Sequence, residues 1–221
     1  MMQRILEPEV MDSWEEAQEY DTMDFTQVNN AFAERAIELG PHFSAKILDA
    51  GTGTARIPIL ISLKCPQWQI VGIDLGENML QLGSQNVKAA GLESQISLAV
   101  VDAKQMPYSD GEFQMVISNS LVHHLPDPLI FFREIARVLQ QQGALLIRDL
   151  IRPPDVGSMN ALVDSIGTEY DEHQAKLFRD SLNAALTLDE VKNLVAQVGW
   201  EDVKVYQSSD RHWTVERAWQ Q

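Results

Sequence analysis

A chain of 221 residues with 45% hydrophobic and 22% charged side chains has the composition of one soluble globular domain with a sizeable core. Its formal charge of −15, from 17 basic and 32 acidic side chains, makes nucleic-acid backbones and anionic membrane surfaces poor partners. The single cysteine, Cys65, excludes an internal disulfide, and no Cys/His set has zinc-ligand spacing, so no metal is expected. No signal-peptide pattern opens the chain, and no apolar run approaches the roughly 18 residues of a membrane span, which predicts a cytoplasmic protein.

Residues 1–45 read as an acidic helical cap. Ser13 and Glu16 have capping-box spacing, with Trp14, Ala17 and Tyr20 following at helical intervals. A second helix from about Thr26 carries Val28, Phe32, Ala36 and Ile37 on one face and stops at Gly40-Pro41. Strand and helix signals then alternate through 46–152. Strands are expected over Lys46–Ala50, Trp68–Asp74, Ile96–Asp102, Phe113–Asn119 and Gly143–Leu150. The helices between them cover Thr54–Leu63, Asn78–Ala90 and Pro128–Leu139. The strands are continuously apolar, as in a parallel sheet covered on both faces, and the alternation predicts a Rossmann-like, doubly wound α/β sheet. Over 153–221 the alternation breaks. Residues 156–184 read as one or two helices with no strand between them, Thr187 opens another over Leu188–Val198, and Val203–Gln207 with Trp213–Ala218 forms an antiparallel hairpin at a sheet edge.

Ligands of open α/β sheets bind beyond the carboxyl ends of the strands. The first strand ends in Asp49-Ala50-Gly51-Thr52-Gly53, where one glycine permits a tight turn and the other lets a ligand approach backbone. The helix that follows presents unpaired N–H groups to whatever sits over the turn. Arg56 stands where a dinucleotide fingerprint would place its third glycine, and Asp49 would repel a pyrophosphate but suit an amine-bearing ligand. The second strand ends at Asp74, about 20 residues beyond the glycines, where a carboxylate can accept ribose hydroxyls. Asp102, Asn119 and the Arg148-Asp149 pair close the remaining strands.

The series ILDAGTGTA, VGIDLGENML, VVDAKQMPYSDGEFQMVISNSLVHHLPDP and FFREIARVLQQQGALLIRD resembles the class I S-adenosylmethionine-dependent methyltransferases, nearest their ubiquinone/menaquinone-type branch. The likeness runs in order and spacing from about residue 46 to 150. It implies a seven-stranded sheet in the order 3-2-1-4-5-7-6 with an antiparallel last hairpin. The resemblance also implies residue roles. Gly51, Thr52 and Gly53 would bring backbone against the methionine portion of S-adenosylmethionine, with Asp49 facing its ammonium. Asp74 would take the ribose hydroxyls, and Leu75 and Met79 would flank the adenine. Asp102 and the Ala103 N–H would bond the base, and Asn119 would line the region of the sulfonium. Arg56 would stand near the carboxylate and Tyr20 would close over the cofactor. Ala55 departs from the glycine usual at that place in the family.

His123 and His124 follow the fourth strand, and His124 is the candidate general base for a proton leaving the acceptor. The lone cysteine disfavours arsenite as acceptor. Asn119-Ser120-Leu121-Val122 lacks the Asn-Pro-Pro-Tyr pattern of amino methylation on DNA. The expected reaction is in-line methyl transfer to an oxygen, nitrogen or carbon of a small molecule. A nicotinamide-dependent oxidoreductase and a non-catalytic cofactor-binding scaffold stay open as alternatives.

Overall fold

The computed structural model describes residues 2–7, 13–166 and 171–220. Parallel strands β1 (Ala45–Ala50), β2 (Trp68–Asp74), β3 (Ile96–Val100), β4 (Phe113–Asn119) and β5 (Leu139–Leu150) are followed by β6 (Lys204–Gln207) and β7 (His212–Arg217). They form one sheet in the order β3-β2-β1-β4-β5-β7-β6. β7 lies antiparallel to both β5 and β6, which leaves β6 at the edge. Both the parallel core and the terminal hairpin agree with expectation.

Consecutive strand residues point to opposite faces, so continuous apolar runs serve two cores at once. Leu48, Val116, Leu145 and Ile147 pack one face with α5 (Pro128–Val138) and α8 (Leu188–Gln197). Ile47, Ile70, Met115 and Leu146 pack the other with α2 (Thr26–Leu39) and α3 (Arg56–Lys64). α4 (Glu77–Ala89) contributes Val87 to the second core. Arg35 of α2 donates twice to the buried Glu216 carboxylate of β7, at 2.6 and 2.9 Å, fixing the helix to the distant hairpin.

Three boundaries differ from expectation. Residues 2–7 have no regular secondary structure, and the first described helix of the cap is α1 (Trp14–Thr22), where the Ser13–Glu16 capping box forms. β5 starts at Leu139, directly after α5, because Leu139 pairs with Phe113 before the register shifts to Met115 against Ala144. The polar Gln140-Gln141-Gln142 run carries no hydrophobic signal of that strand. β3 ends at Val100, which leaves Asp102 in the loop beyond it. The helical stretch expected over 156–184 holds α6 (Val156–Ile166) and α7 (Glu172–Ala184), while 167–170 lie outside the described residues.

Phe32 of α2 is fully buried in the second core. Phe32→Ala is expected to cost about 3–5 kcal/mol in chemical denaturation, the range for truncating a buried aromatic. A loss below about 1 kcal/mol would show that α2 is an appendage rather than part of the core.

Candidate active site

The glycine turn after β1 is shaped from β2. The N–H groups of Gly51 and Thr52 both donate to the Ile73 carbonyl, at 2.9 and 3.0 Å. Asp74 then binds the turn through its side chain: one carboxylate oxygen accepts from Gly53 N–H at 2.9 Å and the other from Gly76 N–H at 2.9 Å. Gly51 and Gly53 have φ of +77° and +53°, a region costly for residues with a Cβ. A Cβ on Gly51 would stand 2.9 Å from the Leu121 Cβ, so this glycine admits the segment after β4. A Cβ on Gly53 would meet nothing nearer than Tyr20 at 4.0 Å, so this glycine faces open space. Ala55, in the place of the family's glycine, is held at φ +61° to start α3.

That open space is a cavity of about 400 Å³ that begins beyond the ends of β1 and β4, where the strand order reverses, and runs along α1, α2, α3 and α4. Asp49, Gly51, Thr52, Gly53 and Arg56 form its floor, Asn119 closes the β4 side, and Tyr20 stands over it from α1. Burial pushes the Asp49 carboxyl up to about 7, against the Thr52 hydroxyl that favours its charged form, and nearby Asp74 adds to the rise. An ammonium placed here would reverse that shift, whereas a phosphate would be repelled. The cradle thus fits a ligand with a cationic amine and a backbone-hugging chain. Burial also raises Asp74, although Gly76, Gly53 and Leu75 amides favour its charged form.

The structure adds residues that sequence reasoning missed. Asp21 takes Arg56 in a two-pronged pair, at 2.7 and 2.8 Å, so Arg56 pins α1 over the cavity. Asn86 of α4 donates to Asp21 at 3.2 Å and to the Thr54 carbonyl at 3.1 Å, bracing the same junction. Phe25 stacks obliquely on Tyr20, with ring centroids 5.3 Å apart. No local spacing links Asp21 to Arg56, so only folding reveals the pair.

Other predicted residues stand apart from the cavity lining. Asp74 holds the turn from behind it. Leu75 follows β2, and Met79 is buried in α4. Ala103 packs into the first core. Asp102 is partly exposed and accepts from Lys104 N–H at 2.8 Å, with the Lys104 ammonium 3.0 Å away. His124 does not line the cavity either; its Nδ1 lies 3.2 Å from a Glu7 oxygen. His123 is buried against Asp149, with Nδ1 2.5 Å from the carboxylate.

Residues 42–211 match a methyltransferase domain family. The chain belongs to that family. It is 30% identical over 164 residues to the demethylmenaquinone methyltransferase of Bacillus cytotoxicus, covering 71% of this chain and 68% of the relative. It is 27% identical over 176 residues to the ubiquinone/menaquinone biosynthesis C-methyltransferase UbiE of Geobacter sp. (strain M21), covering 76% and 75% of the two chains. A SAM-dependent methyltransferase structure from Aquifex aeolicus superposes with a TM-score of 0.67 at 17% identity, covering 94% of this chain and 99% of that one.

The protein is an S-adenosylmethionine-dependent methyltransferase, and the family match gives no support to the nicotinamide-dependent and scaffold alternatives. Among the described residues, no helix is long and apolar enough to cross a membrane.

The protonated state of Asp49 makes two effects separable. With the native carboxyl at about 7 and the ordinary value at 3.8, the folded state holds more protons between those limits. Its contribution to stability therefore falls as pH rises from about 4 to 7. Asp49→Asn is expected to raise the melting temperature of the cofactor-free methyltransferase at pH 8, yet weaken S-adenosylmethionine binding about tenfold or more. Calorimetry at pH 6 in buffers of different ionisation heat should show proton release by wild type and none by the variant. Equal proton release by both would remove Asp49 from the ammonium site.

Proposed function

We propose that this chain transfers a methyl group in line to an oxygen, nitrogen or carbon atom of a small molecule. The observation that carries the reading is the buried, electrostatically unsatisfied Asp49 beneath the open Gly53 backbone. When bound, S-adenosylmethionine supplies a methyl group already activated by its sulfonium. Binding, orientation and exclusion of water are then the tasks of the protein.

Asp49 faces the amino group, and the Gly51-Thr52-Gly53 backbone carries the methionine portion. Asn119 lines the reacting end, with Tyr20 as a cover. Arg56 acts through Asp21, holding α1 in place as that cover. A carboxylate offers about four acceptor sites, so Asp74 can keep the Gly53 and Gly76 amides and still receive ribose hydroxyls. Leu75 and Met79 flank the adenine, while Asp102 and the Ala103 N–H read its edge. In this division residues 1–45 and 153–221 shape the acceptor side around a cofactor-binding half over 46–152.

The charge of −15 supports a small acceptor rather than nucleic acid, and the names of the two curated relatives support a quinone-like ring. A cytoplasmic site of action, expected from the sequence, belongs to the same reading.

Asp74→Ala is expected to weaken S-adenosylmethionine binding by about 1–3 kcal/mol, read by calorimetry. Unchanged affinity would take Asp74 out of the site. Asp102→Ala should weaken the natural cofactor more than an analogue lacking the exocyclic amino group. Identical losses for the two ligands would reject the adenine contact. The reaction itself is tested by demethylated-cofactor release with quinol, phenol and amine acceptors. Turnover on nucleic acid but on none of these would reject the small-molecule reading.

A further inference from the structure

A second constellation lies outside the cofactor cavity, where residues 4–7 cross the turn after β4. Arg4 fixes this crossing by donating to the carbonyls of His123, Leu125 and Ala184, at 3.1, 2.9 and 2.6 Å. Ile5 N–H adds a bond to the Asn183 carbonyl at 3.1 Å. Glu7 is thereby laid over two consecutive imidazoles. Its buried Oε1 stands 3.4 Å from His123 Nε2 and 3.2 Å from His124 Nδ1. One ligand atom from each of the three residues falls within a set spanning less than 4.8 Å.

These separations are longer than charge-assisted hydrogen bonds, which cluster near 2.7–2.9 Å. They fit the edges of a tetrahedron whose corners lie about 2.0–2.1 Å from its centre, edges of roughly 3.3 Å. The surrounding bonds brace the donors. Asp149 accepts from the N–H groups of Val122, His123 and Leu150, at 2.5, 3.2 and 2.6 Å, and holds His123 Nδ1 at 2.5 Å. Those amide bonds favour the ionised carboxylate, so Nδ1 faces Asp149 and Nε2 is the ring nitrogen that faces Glu7. A carboxylate behind a ligating histidine is the usual bracing of a metal site. Ser181 Oγ donates to the second Glu7 oxygen at 3.2 Å, which leaves Oε1 for the centre.

We propose that Glu7, His123 and His124 bind a divalent transition-metal ion in the borderline class typified by zinc. Two imidazoles and one carboxylate suit such an ion better than calcium or magnesium, which prefer all-oxygen shells, or copper(I), which prefers sulfur. Three protein donors leave the fourth corner for water or a ligand oxygen. None of the three residues lines the cofactor cavity, so the proposal stands apart from the methyl-acceptor reading.

The test is metal binding by the full chain, stripped with chelator and then titrated with zinc ion alone. One zinc per chain is expected, and cobalt(II) in its place should give the intense visible bands of four-coordinate geometry. Glu7→Gln and His124→Ala should each lower zinc affinity about tenfold or more while retaining the wild-type far-ultraviolet dichroism. Asp189→Asn, in the exposed first turn of α8, should leave it unchanged. No zinc retained by wild type, or unaltered affinity in both Glu7→Gln and His124→Ala, would overturn the site. The cluster would then be an ion pair between imidazolium and carboxylate.

Discussion

The Asp74 carboxylate is the tie on which the site depends. It sits at the end of β2 and reaches across to the turn after β1, gripping Gly53 N–H and Gly76 N–H at once. With the Ile73 carbonyl taking two further amides, the glycine turn cannot swing away from the sheet. The backbone positions proposed to lie against the cofactor are thus fixed by a neighbouring strand rather than by their own flexible sequence. This preorganisation lowers the entropy that binding would otherwise have to meet. It also explains how Ala55 tolerates a left-handed conformation: bonds on either side over-determine the backbone there.

The cover over that turn depends on a different interaction. α1 is acidic and buries only Ala17, so packing alone holds it weakly. Its attachment runs through Asp21, which joins Arg56 at the start of α3 and Asn86 on α4. The Arg56 side chain is about half exposed at 52%, so water can enter this junction and the pair contributes modestly. α2 is anchored more firmly, through buried Phe32 and the Arg35–Glu216 pair.

Two buried aspartates show how neighbours decide protonation. Asp49 and Asp149 are both deeply buried, at 2% and 0% exposure, and burial raises each. Around Asp149, His123 and a backbone amide outweigh that penalty and hold it below the ordinary range. Asp49 has only a hydroxyl to help it and a second acid nearby, so its carboxyl is pushed up to about 7. The first is a settled structural group. The second is stored electrostatic demand, which a cationic ligand would satisfy.

Sequence by itself determined the doubly wound sheet, its antiparallel terminal hairpin and the strand ends that carry Asp49, Asp74 and Asn119. These follow from short-range rules: apolar runs of strand length, glycines where φ must be positive, and turns too short for a crossover. Local pattern also located Ser13–Glu16 and Thr187 as helix starts, because capping involves residues three apart. The start of β5 escaped because Gln140–Gln142 lie where the register shifts between Leu139 and Ala144 and carry no hydrophobic period. Only the tertiary structure decided what Arg56 and His124 face. Asp21 reaches Arg56, and Glu7 reaches the histidines, through contacts between segments far apart in the chain. Electrostatic partners of that kind need only meet in space, so no spacing in the sequence records them.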